Sequence, residues 1–223
     1  TSVFNDRKST KMRNLNEFPI FVRYNQTLSI IEKISNNNHH QSMSDYISPQ
    51  TPFGLISTYQ GRNTKRVGDI AVYTSRGVKY ASRTEISKNQ DMIDKYKVIF
   101  TKASPGGGSA DSQGQRLVFS SLRVLNPGEI CTQTYLFAGP FETLSCAENA
   151  CIYMKTRFCR FLLSQAMSSQ DISRDKFLFV PMQDFTKPWT DAELYAKYGL
   201  DQEEIDFIES MIRPMDTEGG NDA

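Results

Sequence analysis

The apolar positions of this chain recur in successive rhythms, and each rhythm predicts a different backbone. Within residues 27–35 (TLSIIEKIS), Leu28, Ile31 and Ile34 share one stripe of a 3.6-residue period, so a short amphipathic helix is expected, opened by Asn25 or Thr27. The polar stretch NNNHHQSMSD that follows has no period and reads as a loop. From Phe53 to Leu136 the pattern shortens to β-rich runs between turns: FGLIS, DIAVYTS, VKYAS, YKVIFTKA, RLVFSSLRVL and ICTQTYLFA. TSRG at 74–77 reads as the hairpin turn between two of them. A Ser145-x-x-Glu148 capping box then precedes Ala147, Ala150, Cys151, Met154, Phe158, Phe161, Leu162 and Gln165 at helical spacing, predicting one long helix over 145–167. Lys155, Arg157 and Arg160 fall off that stripe and read as solvated.

KFLFVPM at 176–182 reads as a buried strand ended by Pro181. Thr190-x-x-Glu193 is a second capping box, Gly199 a helix stop, and Asp201-x-x-Glu204 the start of a last helix that Arg213-Pro214 ends. Leu194, Tyr195 and Tyr198, then Ile205, Ile208, Met211 and Ile212, are their packing stripes. The first dozen residues are polar and aperiodic and read as a frayed start or cut linker, with structure expected from near Phe18. The predicted class is α/β (α+β): a mixed, mostly antiparallel sheet backed by one long helix and closed by two short C-terminal helices. Residues 1–50 form a linker and N-terminal helix, 51–215 the folded domain, and 216–223 a disordered tail.

One interruption stands out. ASPGGGSADSQGQ at 103–115 is a long Gly/Ser loop without an apolar anchor, and such loops inside compact domains are commonly functional, so it is the leading candidate for ligand contact.

Charge changes the picture where composition does not. The net charge is +1, yet residues 55–125 hold twelve Lys/Arg against five Asp/Glu, and residues 171–223 hold five against thirteen. A basic middle and an acidic end suit a polyanion-binding core with a solvated or partner-facing end. Basic side chains cluster at predicted turns: Arg62, Lys65 and Arg66 after a strand, Arg76 in the hairpin turn, Lys79 and Arg83 just beyond, Lys102 and Arg116 beside the glycine loop. Such an arrangement suits phosphate contacts from loops on a rigid sheet, with Ser109, Gln113 and Gln115 added as candidates inside the long loop. Tyr59, Tyr73 and Tyr80 interleave aromatic rings among them.

Catalytic patterns are missing. Cys131, Cys146, Cys151 and Cys159 include no CxxC pair, and His39 and His40 lie in the Asn-rich stretch, so metal-ligand spacing is absent and the cysteines read as core residues in a reducing compartment. The chain has no Asn/Asp-Pro-Pro-aromatic tetrapeptide of the kind that holds a flipped adenine. Gly106-Gly107-Gly108 lacks the strand-before, helix-after setting of a nucleotide-cradling loop. The single Asp/Glu-x-Lys match to a nuclease motif is Asp6-Arg7-Lys8, in the aperiodic start. No secretory signal, membrane-length apolar run or lipidation motif is seen, and a cytoplasmic setting without membrane contact is expected.

The segment 176–215, with FVPMQDFTKPWTD, YAKYGL and ESMIRPM, resembles the C-terminal ending of large type II restriction-modification proteins that carry an adenine-specific DNA methyltransferase. SRTEISKNQDMIDKYKVIFTKA (82–103), CTQTYLF (131–137) and YMKTRFCRFL (153–162) resemble parts of that family's TaqI-like C-terminal specificity domain, so the likeness covers roughly residues 50–215. It implies a target-recognition domain that reads double-stranded DNA, mainly through the major groove, for an adjacent methyltransferase domain. In such a parent, S-adenosylmethionine would serve the catalytic domain, and this chain alone would hold no cofactor, no metal and no catalysis. Two alternatives stay open: a Mg-dependent restriction nuclease fragment, and an assembly module comparable to half of a type I specificity subunit.

Overall fold

In the computed structural model, residues 2–4, 7–10, 18, 22, 24–36 and 41–215 are described. They form an α+β fold. A short antiparallel hairpin, β1 (Ser2–Phe4) and β2 (Arg7–Ser9), precedes helix α1 (Gln26–Ser35). Six further strands follow: β3 (Ile70–Thr74), β4 (Gly77–Ala81), β5 (Tyr96–Thr101), β6 (Leu122–Leu125), β7 (Glu129–Cys131) and β8 (Tyr135–Phe141). The chain ends in α2 (Leu144–Lys155), α3 (Arg157–Ala166), α4 (Asp191–Lys197) and α5 (Gln202–Met211).

The six strands make two three-stranded sheets, ordered β4-β3-β7 and β6-β5-β8. Every pairing is antiparallel except β3 with β7. Strand alternation explains why β5 sits between two cores. Val98 and Phe100, beside Leu136 and Ala138 of β8, enter the larger core with α1, α2, α3 and α5. Ile99, beside Phe137 of β8, enters a smaller core with Ile70 and Val72 of β3 and Ile130 and Cys131 of β7. The β6-β5-β8 sheet therefore has helices on one face and the other sheet on the opposite face. Helix α1 packs Leu28, Ile30, Ile31 and Ile34 into the larger core.

The C-terminal segment is held by caps. Thr190 with Glu193 and Asp201 with Glu204 form the two expected capping boxes, and Gly199 N–H closes onto Ala196 O where α4 stops. Phe177, Phe179, Phe185, Trp189, Leu194, Tyr195, Tyr198 and Ile208 all reach the larger core. Hence the segment that carries the family resemblance is a packing element, built to cover α2 and α3.

Several expectations fail for identifiable reasons. The single helix over 145–167 is two: Thr156 is extended (φ −60°, ψ 150°), ends α2 and caps α3 by accepting from Cys159 N–H. Asp191 adds two bonds, from Arg157 and Phe158 N–H at 3.0 and 2.8 Å. Helix α2 is capped by Thr143, which accepts from Cys146 N–H, so Ser145 and Glu148 do not form its capping box. Arg160 and Lys155 are buried, not solvated; Arg160 has no exposed surface at all. Residues 174–179 form a 3-10 turn instead of a strand, with pairing to Ser42 starting only at Pro181. FGLIS forms no strand, because a tight turn closes from Gly54 N–H to Thr51 O and leaves Phe53 and Leu55 as loop anchors in the smaller core. In RLVFSSLRVL only Leu122–Leu125 forms a strand, since Val118 takes φ +73° and breaks the run. The expected single sheet is two, and the start read as frayed contains the β1–β2 hairpin. His39, His40, Asp6 and the tail 216–223 lie outside the described residues.

Candidate nucleic-acid interface

The basic residues singled out in the sequence sit on scaffolds of very different stiffness. Arg62 pairs with Tyr80 of β4 through two backbone bonds of 2.8 and 2.9 Å. Its guanidinium grips Asp69 through Nε at 3.1 Å and Nη2 at 2.5 Å, and reaches Glu85 at 3.1 Å. That fork holds the Asp69 carboxyl below its ordinary range and raises Arg62 in turn. Glu85 is also held low, first by Ser82 N–H and then by the Tyr59 hydroxyl, while burial pushes Tyr59 up to about 12. Arg62 is thus committed to carboxylates, and its work is to fix the turn that follows.

That turn carries the cations free to face a ligand. Asp69 also accepts from Arg66 N–H at 2.9 Å, and Asp69 N–H returns to Arg66 O at 3.1 Å. Gly68 occupies the third position at φ +83°, where a type II turn favours glycine. On the other leg, Lys79 Nζ donates to Asn63 Oδ1 at 2.6 Å. Lys65 and Arg66 project from this pinned turn into solvent.

At the other end of the β3–β4 hairpin, the Thr74 hydroxyl donates to Gly77 O at 2.7 Å and accepts from Arg76 N–H at 3.0 Å. Gly77 lies at φ +92°, and Arg76 is exposed at the tip. The two cationic turns are therefore separated by the length of a five-residue strand, about 14 Å. Beside this tip opens a cleft of about 300 Å³ between the sheets, lined by Tyr73, Thr74, Ser75, Val78, Ser121, Arg123 and Tyr135 among others. The Arg123 guanidinium lies over the Tyr73 ring, 5.3 Å from its centroid. Burial raises Tyr135 above its ordinary value, with Arg123 acting against the shift.

The remaining candidates are dispersed. Arg83 is exposed but forks onto Asp94 with bonds of 2.7 and 2.5 Å. Lys102 donates to Gln50 at 2.7 Å, on the β8 side of the sheet. The 103–115 loop has more internal order than its composition suggests. Pro105–Gly108 forms a 3-10 turn, Ser104 N–H bonds to Gln170 O, and the Asp111 carboxylate accepts from Gln113 and Gln115 N–H at 2.9 Å each. Ser109 and Gln113 are exposed, whereas Gln115 donates to Glu209 O and the Arg116 backbone pairs with Met211 and Arg213, fastening the loop to the end of α5. The structure therefore gathers Arg62, Lys65, Arg66 and Lys79 at one place. It sets Arg76 at the far end of the same hairpin and keeps Lys102 and the loop residues apart from them.

Arg123 was missed in the sequence because it lies inside an apolar run, where a cation is easily passed over; a charge at a strand position is itself the signal. The counter-charges Asp69, Glu85 and Asp94 were equally hidden, because nothing in linear spacing pairs residue 62 with residue 85. Among the described residues no group of three or more His, Cys, Asp or Glu could hold a metal ion. No helix among them is long and apolar enough to cross a membrane. No protein-family model matches the chain, and no curated protein matches it.

Proposed function

We propose that this chain recognises double-stranded DNA as the target-recognition domain of an adenine-specific restriction-modification methyltransferase, whose separate catalytic domain would use S-adenosylmethionine to methylate adenine N6. The observation that carries this reading is the pair of stiff cationic turns. The turn backbones that present Lys65 and Arg66 at one end of the β3–β4 hairpin and Arg76 at the other are fixed by hydrogen bonds made before any ligand arrives, and all three side chains are exposed. Because the backbone is already fixed, only side-chain rotamers remain to be ordered when these cations meet phosphates, which lowers the entropic cost of the contact. The C-terminal sequence signature supports the same family, and the long loop offers exposed polar side chains for base contact.

Fluorescence anisotropy with a labelled duplex tests it. Binding is expected at about 50 mM salt and should weaken steeply as salt rises. Replacing Lys65, Arg66 and Arg76 together by alanine should flatten the logarithmic salt slope by about 2.7, at roughly 0.9 per lost phosphate contact, for any duplex sequence. A wild-type chain with no duplex affinity at low salt ends the proposal.

A further inference from the structure

The pinned turn displays something a phosphate clamp does not need. Val67, at its second position, is fully exposed at the tip together with Arg66 and Gly68, while the base of the turn is pinned by the half-buried Asp69 and Lys79. A type II turn requires glycine at its third position and tolerates nearly any residue at its second, so the turn does not call for valine. A branched apolar side chain left wholly in water contributes nothing to folding. Lys65 and Arg66 stand directly before it, both exposed.

Resting on the DNA-recognition reading, we propose that Val67 is a specificity-determining contact. The 65–68 turn enters the major groove, Lys65 and Arg66 neutralise flanking phosphates, and the valine methyls pack on the C5-methyl of one thymine. The groove is about 12 Å wide and admits a tight turn of this size, and the thymine methyl is its one apolar feature. Rigidity is what makes so small a contact selective. Asp69, bound by Arg62 and by Arg66 N–H, fixes where the side chain stands, so Asp69 and Arg62 are positioning residues for it.

The test uses the full chain and a randomised duplex library. The selected duplex is then remade with uracil in place of each thymine in turn, which removes one methyl and no hydrogen-bonding group. For the wild type, one such replacement should weaken binding about fourfold, the worth of one buried methyl-sized group. For Val67→Ala the same replacement should change nothing, with circular dichroism and the urea midpoint as in the wild type. A wild type indifferent to every replacement, or a Val67→Ala chain that keeps the full penalty, overturns the proposal while leaving DNA recognition intact. Absence of any duplex binding overturns both.

Discussion

Arg160 is the residue whose replacement tests the architecture most severely. Its side chain has no exposed surface and donates to four carbonyl oxygens: Lys155 and Thr156 through Nε at 2.9 and 3.2 Å, Leu117 and Arg213 through Nη1 at 3.0 and 2.8 Å. It thereby fastens the end of α2, the strand approach after the long loop, and the chain just beyond α5. Burial costs the cation enough to pull it down to about 10 from its ordinary value. In Arg160→Met the methionine fills most of the space, so the loss comes from polar groups. Four bonds from a charged donor at roughly 1.5 kcal/mol each give about 6 kcal/mol, of which release from guanidinium desolvation returns a part. We expect a net loss of about 4 kcal/mol, and about 2 kcal/mol for Arg160→Lys, which keeps the charge but cannot fork between the two sides. Urea unfolding followed by circular dichroism reads this directly; with a slope near 2 kcal/mol per molar, the methionine midpoint should fall by about 2 M. A loss below about 1 kcal/mol, or a lysine variant equal to wild type, would refute the role assigned to the fork.

Other outcomes follow from the same geometry. Lys97 is buried against Met92, Ile93 and Lys95 carbonyls, and burial lowers it to about 8. Because the unfolded chain then holds its proton to higher pH than the native state, wild-type stability should gain on Lys97→Met as pH rises from about 8 towards 10.5, as urea midpoints across that range will show. The Asp69 carboxyl lies below its ordinary value of 3.8, so its contribution is present above that pH and lost as pH falls through the native value; the gap between wild type and Asp69→Asn should close in acid. Arg62→Ala should lower the melting temperature and loosen the 63–68 turn, measurable as faster amide exchange there, whereas Lys65→Ala should do neither. Alanine at Ser109 and Gln113 should alter which duplexes are selected without changing the salt slope; an unaltered preference removes the long loop from base reading.

Much of the fold was legible where one short-range rule suffices. The β3–β4 hairpin follows from alternation around TSRG, and the capped starts of α4 and α5 follow from Thr190 with Glu193 and Asp201 with Glu204, because a cap is satisfied within four residues. The α2–α3 break was not legible. Apolar spacing runs through Thr156 unchanged, and the carboxylate that receives the first N–H groups of α3, Asp191, comes from far along the chain. KFLFVPM failed because a short continuous apolar run suits a buried strand or a buried turn equally. At the candidate site, the sequence named the cations but not their state: Arg62 and Arg83 look like Lys65 and Arg66 until Asp69, Glu85 and Asp94 are found beside them.

By itself, then, the sequence determined the class of the fold, the capped starts of α4 and α5 and a basic middle, since period, caps and charge are properties of neighbouring residues. Tertiary structure decided which cations remain available, where the apolar tip of the 65–68 turn stands, and that a buried arginine closes the molecule. Those depend on partners many residues away, and burial turns an ordinary solvated charge into one that must find its acceptors.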